Sequence, residues 1–193
     1  MVYIAPAWQR ERWPLECYAK ELSREMNFYK IGEIEHIPDF GTGTAITRFG
    51  EVVDGKFKGI NYSSAFINFT NALNALVPRF AFDAAEKTLM TINCEVPPHN
   101  DSGIECAINI YLRTSNCLTQ FYDVKGNEQS FQIENQTNGF IFLPECLEPA
   151  DSFVAKPGDV YLLNVRQPHS VIPRRPGPID RKALCLQSRT VTF

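Results

Sequence analysis

The sequence predicts a mainly β protein with flanking N-terminal helices, its strands packed as a sandwich or jelly roll. From Thr88 onward, short apolar or alternating runs follow one another. Turn residues such as Lys125-Gly126-Asn127, Asn138-Gly139 and Pro157-Gly158-Asp159 close them. No helical pattern alternates with these runs, which argues against a parallel α/β sheet. A chain of 193 residues with 44% hydrophobic content fits one domain with a sizeable core. The expected division of 1–193 is a helical or irregular support over 1–87 and a jelly-roll core over 88–193.

Taken in order, residues 1–14 read as irregular, with Pro6 and Pro14 as punctuation and Trp8 and Trp13 as packing anchors. Leu15 to Asn27 reads as an amphipathic helix, because Leu15, Tyr18, Leu22 and Met26 form one stripe among charged neighbours. Phe28 to Asp54 carries strand-like pieces and turns. One turn, Gly41-Thr42-Gly43, lacks the Gly-Lys-Ser/Thr that a phosphate loop needs. Lys56 to Tyr62 reads as a loop. Ser63 or Ser64 then caps a second helix, with Phe66, Phe69, Leu73, Leu76 and Val77 on its buried side and Pro78 at its end. Two helices of this length suffice to cover one face of a sheet. The expected strands are 88–94, 104–112, 118–124, 130–134, 139–143, 152–155, 159–165, 169–173 and 181–193.

Composition excludes several classes. A formal net charge of -3 argues against a protein that grips nucleic-acid backbone, and no basic stripe is interleaved with aromatics. No apolar run approaches the ~20 residues of a membrane span, and the first 12 residues lack a secretory pattern. The six cysteines show no Cys-x-x-Cys or zinc spacing, so reduced thiols in a cytoplasm are expected. The Asn-x-Ser/Thr triplets at Asn61, Asn68 and Asn135 carry no weight without other signs of secretion.

The chemistry concentrates in Val96-Pro97-Pro98-His99-Asn100-Asp101-Ser102-Gly103. In an extended segment residues i and i+2 point the same way, so His99 and Asp101 can offer a nitrogen and an oxygen to one point. Two ligands do not make a stable site. The third candidate is His169, in Pro168-His169-Ser170-Val171 after a strand-like run. Two histidines and a carboxylate with open positions left over form the facial set of non-haem Fe(II) oxygenases. His36, in Ile34-Glu35-His36-Ile37-Pro38, has no matching carboxylate and reads as structural or surface.

The order His99-x-Asp101, a strand-rich interval, His169 and then Arg181 on the next strand resembles the 2-oxoglutarate/Fe(II)-dependent dioxygenases. The small prolyl-hydroxylase-like and phage or bacterial members are nearest in size. The resemblance covers roughly residues 88–190 and also rests on Pro157-Gly158-Asp159-Val160-Tyr161-Leu162-Leu163 and Asp180-Arg181-Lys182-Ala183-Leu184-Cys185-Leu186. It implies a double-stranded β-helix, a cupin-like jelly roll. It also implies Fe(II) held by His99, Asp101 and His169, with 2-oxoglutarate and dioxygen as cosubstrates.

The implied reaction is decarboxylation of 2-oxoglutarate coupled to hydroxylation of a C–H bond. The substrate class stays open among protein side chains (peptides), amino acids and small metabolites. In related halogenases a small residue replaces the carboxylate, so Asp101 favours hydroxylation. Arg181 is the expected anchor of the cosubstrate's far carboxylate, since a guanidinium fork makes two parallel charge-assisted hydrogen bonds. Arg189 is its rival, and Arg174 and Arg175 read as a turn at the mouth. The family often has Ser or Thr two positions after the arginine, where this chain has Ala183. Asn109, Tyr111 and Tyr122 are further candidates to touch cosubstrate. Two alternatives are a cupin-like metalloenzyme that does not use 2-oxoglutarate and a non-catalytic jelly-roll binding module.

Overall fold

A computed structural model of the chain describes residues 26–35, 45–53, 56–66, 86–101, 103–126, 130–132 and 139–189. Two antiparallel sheets pack face to face in a jelly-roll, cupin-like fold. The larger holds β1 (Phe28–Glu33), β2 (Ala45–Val53), β3 (Lys56–Phe66), β4 (Glu86–Ile92), β6 (Cys106–Ser115), β11 (Asp159–Leu163) and β13 (Asp180–Ser188), in the order β1-β11-β6-β13-β4-β3-β2. The smaller holds β5 (Val96–Asn100), β7 (Cys117–Val124), β8 (Ser130–Gln132), β9 (Phe140–Phe142), β10 (Leu147–Phe153) and β12 (His169–Pro173), in the order β10-β7-β12-β5-β9-β8. A single 3-10 turn, Pro144–Cys146, leads into β10.

The two sheets differ in burial, and the sequence texture follows. On β7 the residues alternate between buried and half-buried up to Tyr122, the mark of a strand with one wet face. On β6 the first six residues are all buried, as are all five of β11. Ala107, Tyr111, Ala183 and Cys185 face the interior with Phe121 and Phe153 of the smaller sheet. Ile108, Ile110, Leu184 and Leu186 are buried too, on the opposite face of the larger sheet. Burial on both faces is why these strands read as near-continuous apolar runs.

The expected loop and helix around Lys56 to Val77 are corrected in part. Residues 56–66 form β3, paired with β2 without interruption from Val53↔Lys56 to Ala45↔Ser64. The overriding signal is Asp54-Gly55, the residue pair that a two-residue hairpin connection favours. It outweighs the capping chemistry of Ser63 and Ser64. The rest of that expected helix, from Ile67, lies outside the described residues, as do residues 15–25 of the first. Met26 and Asn27, at the expected end of that first helix, are not helical.

Two strands accommodate prolines: β10, which starts five residues before the expected strand at 152, and β5, which covers the extended stretch around His99. On β10, Pro149 sits in an edge strand beside a register shift between Pro149 and Ser152, where its missing N–H is tolerated. On β5, Pro97 and Pro98 fall between the paired positions His99↔His169 and Val96↔Val171. The ladder therefore skips them.

The Pro157-Gly158-Asp159 turn requires its glycine. Gly158 has φ +94°, and a Cβ there would lie 2.6 Å from the Ile34 carbonyl oxygen. That close approach lets Ile34 N donate to Gly158 O at 2.8 Å and Gly158 N donate to Tyr111 O at 2.7 Å. Lys30 adds an ion pair to the buried Asp159 at 2.8 Å, fastening β1 to β11. Phe28 then lays its ring against Phe153, centroids 4.6 Å apart, and Phe153 stacks on Tyr161 at 4.1 Å. Such pairs contribute about 0.5–1.5 kcal/mol each beyond area burial. They build an aromatic floor inside the barrel.

Candidate metal centre

The histidines meet because β5 and β12 are hydrogen-bonded neighbours with His99 directly opposite His169. Their ring centroids are 4.4 Å apart. Each ring is aimed by its own strand: His99 Nδ1 lies 2.9 Å from Pro97 O, and His169 Nδ1 lies 3.0 Å from Gln167 O. A carbonyl only accepts, so each Nδ1 carries the proton and Nε2 is the basic nitrogen.

Asp101 follows the end of β5. Its main chain is tied by Asp101 N to Val165 O at 2.8 Å and by Ile104 N to Asp101 O at 3.0 Å. Its Oδ1 lies 3.8 Å from His99 Nε2. One ligand atom from each of His99, Asp101 and His169 falls within 4.8 Å of the others, a cluster that could hold a metal ion. Two neutral imidazoles and a carboxylate suit a divalent first-row metal.

Burial sets the protonation of the set. His99 is pushed down to about 4, first by desolvation and then by the neighbouring His169. His169 is also pushed down to about 4 by desolvation, with the Arg181 charge adding to the effect. Burial raises the Asp101 carboxyl above its ordinary value, against opposition from His99 and from a Gln187 hydrogen bond. A metal ligand must be deprotonated, and both imidazoles are already neutral well below pH 6.5. Histidine protonation is therefore expected to weaken Mn(II) binding only as pH approaches 4, and a loss at higher pH would fall to the raised Asp101 carboxyl. Calorimetric titration over falling pH checks it. Ring-proton NMR of the metal-free protein assigns the cause: imidazoles that titrate near their ordinary value of about 6.5 would contradict the depressed histidines.

Arg181 is buried, 2% exposed, on the interior face of β13. Its Nη1 donates to Thr119 Oγ1 at 2.9 Å, and its guanidinium carbon lies 5.2 Å from the centre of the Tyr111 ring. Its Nε and Nη2 have no hydrogen-bond partner among the described residues. Those two N–H groups form one edge of the planar fork, the edge that grips a carboxylate side-on.

Among the other residues singled out from sequence, Asn109 and Tyr111 face the interior beside Arg181. They pair across the sheet with Cys185 and Ala183, and Asn109 Oδ1 is buried with no hydrogen-bond partner that meets normal geometry among the described residues. Tyr122 is not brought to this place. Parity on β7 puts Thr119 and Phe121 inward, whereas the Tyr122 hydroxyl bonds Ser170 at 2.8 Å on the other side of the sheet. Arg189 is exposed and donates to Gly103 O at 3.1 Å. Arg174 and Arg175 lie in an exposed turn held by Asn116. His36 lies outside the described residues. Sequence reasoning missed Thr119 and Gln187. The available signal was even spacing, Thr119 two before the inward Phe121 and Gln187 six after Arg181.

No protein-family model matches the chain, and no curated protein sequence matches it significantly. Solved structures do match. The E. coli protein ycfD superposes with a TM-score of 0.50 at 11% identity, over 87% of this chain and 51% of that one. A 2OG-Fe(II) oxygenase family protein from Burkholderia pseudomallei gives 0.47 at 12% identity, over 93% of each. Vicilin from Corylus avellana (hazelnut) gives 0.38 at 10%, over 67% of this chain and 28% of that one. The chain thus spans about half the length of the E. coli protein and a smaller share of the vicilin. At such identities the likeness is one of fold. Among the described residues no helix is long and apolar enough to cross a membrane. Fold and site together define a jelly-roll protein with a His-Asp-His cluster able to hold one metal ion.

Proposed function

We propose that the protein is an Fe(II)- and 2-oxoglutarate-dependent dioxygenase that hydroxylates a C–H bond of a second substrate. One observation carries the reading: a buried guanidinium presents an unpartnered carboxylate-gripping edge beside a cluster of three metal ligands. A metal centre alone would not call for a cation there. An anionic ligand that reaches both would.

His99, Asp101 and His169 would hold the iron, which supplies dioxygen activation when bound. Arg181 would take the distal carboxylate of 2-oxoglutarate on Nε and Nη2. Thr119 fixes the third guanidinium nitrogen, so the fork is oriented before any ligand arrives. It provides a hydroxyl at the guanidinium in a chain whose position 183 is Ala. Tyr111 lies beneath the cation, and Asn109 offers an amide to the same cavity. Phe121, its ring centre 5.7 Å from that of His169, keeps water from that flank. The second substrate is a protein side chain, an amino acid or a small metabolite, and the setting is cytoplasmic.

Anaerobic addition of 2-oxoglutarate to the Fe(II)-loaded protein is expected to produce a saturable charge-transfer absorption. Aerobic incubation is expected to yield succinate and carbon dioxide in equal amounts, slowly without the second substrate. Tight metal binding with neither response would leave a metalloprotein of another kind.

A further inference from the structure

Gln187 stands six positions after Arg181 on β13, so strand parity puts it on the same inward face as Arg181, Ala183 and Cys185. Its Nε2 donates to Asp101 Oδ2 at 3.3 Å, joining residues 86 positions apart. An ionised carboxylate only accepts, so the amide must turn its nitrogen toward it. The other oxygen, Oδ1, is the one near His99 Nε2, at 3.8 Å. The two oxygens of Asp101 are therefore not equivalent.

Each imidazole of the cluster is aimed by a backbone carbonyl two residues before it. Asp101 has no such internal guide. Its main chain is fixed through Val165 and Ile104, but its side chain is 19% exposed and has two torsions to settle. We propose that Gln187 is the positioning residue for Asp101, holding Oδ2 so that Oδ1 alone faces the metal, and that it thereby sets metal affinity. The inference rests on the metal centre proposed above. The donor is a neutral amide, so it orients the carboxylate without cancelling the charge that binds the cation.

Mn(II) affinity of the purified protein, measured calorimetrically and by the loss of the free-ion spin-resonance signal, tests this. Gln187→Met keeps length and removes the donor, and its Kd is expected to rise by about ten- to a hundredfold. Gln187→His, a neutral imidazole at about pH 8 whose Nε2–H stands the same number of bonds from the main chain as the amide nitrogen, keeps an uncharged donor and is expected to stay within about threefold of wild type. The metal-free melting temperature of both variants should hold within about 2 °C, which separates positioning from general stability. Unchanged affinity in Gln187→Met, or equal losses in both variants, overturns the inference while His99→Ala still reports on the centre. A wild type that binds no Mn(II) overturns the centre and the inference together. Should Gln187→Met fail to fold, the side-chain amide of Gln187 in 15N-labelled wild type is read during Zn(II) titration. A shift of that resonance in step with binding supports the inference, and an unmoved resonance overturns it.

Discussion

His169→Ala is expected to weaken Mn(II) or Fe(II) binding by on the order of a hundredfold while the jelly roll stays folded. A four-ligand zinc site holds its ion with roughly 10–16 kcal/mol, so one protein ligand is worth about 3 kcal/mol. Replacing His169 removes one of the three donors that lie within 4.8 Å of one another. The structural cost is smaller. The residue gives up one hydrogen bond to Gln167 O and its ring contacts with His99 and Phe121, about 1–3 kcal/mol in all. The pairing of β12 with β5 and β7 runs through the backbone and survives. Circular dichroism and the metal-free melting curve should show a folded protein, and calorimetry should show the lost affinity. A non-catalytic jelly-roll module predicts the reverse: no metal binding by the wild type and no change in the variant beyond stability.

What could be read from the chain, and what could not, follows from how local each signal is. The order His99-x-Asp101 and His169 was legible because metal ligation needs particular side chains at strand spacing. The strand 169–173 has the bounds the sequence suggests. The placement of Arg181 on the next strand was legible from the strand texture; that it anchors a cosubstrate is a proposal. The face that Tyr122 takes was not legible, because composition does not state which side of β7 is inward. Once Phe121 is packed on His169, parity sends Tyr122 to the other side. Thr119 was overlooked because its role exists only across the barrel, where it meets Arg181. Residues 56–66 looked like a loop followed by a helix cap because serines weigh heavily in local reading. The nine-pair ladder with β2 is a longer-range preference and wins.

Arg181→Met is expected to abolish 2-oxoglutarate binding and, in the same protein, to raise the stability of the ligand-free state. The first effect follows from the fork. A carboxylate that enters the cavity would lose two charge-assisted hydrogen bonds and meet no counter-charge, a penalty of about 3–5 kcal/mol, or more than a hundredfold in affinity. The second follows from burial. Arg181 is 2% exposed, and its Nε and Nη2 have no acceptor among the described residues. Its compensations are one hydroxyl, Thr119 Oγ1, and the face of Tyr111. An apolar side chain of similar length removes the uncompensated charge and fills the same space beside Thr119 and Tyr111. Replacing buried charge in this way commonly stabilises by about 1–4 kcal/mol. A gain of about 2 kcal/mol in a chain of this size raises the melting temperature by roughly 4–8 °C. Arg181→Lys separates charge from geometry: it keeps the cation, lacks the fork, and should bind 2-oxoglutarate weakly without the stability gain. Differential scanning calorimetry alongside ligand titration reads both effects. If Arg181→Met melts lower than wild type and still binds 2-oxoglutarate, the guanidinium is a structural strut and the cosubstrate site lies elsewhere. A higher melting temperature together with lost 2-oxoglutarate binding would mark Arg181 as a buried cation kept at a cost to the empty protein, chosen by binding and not by folding.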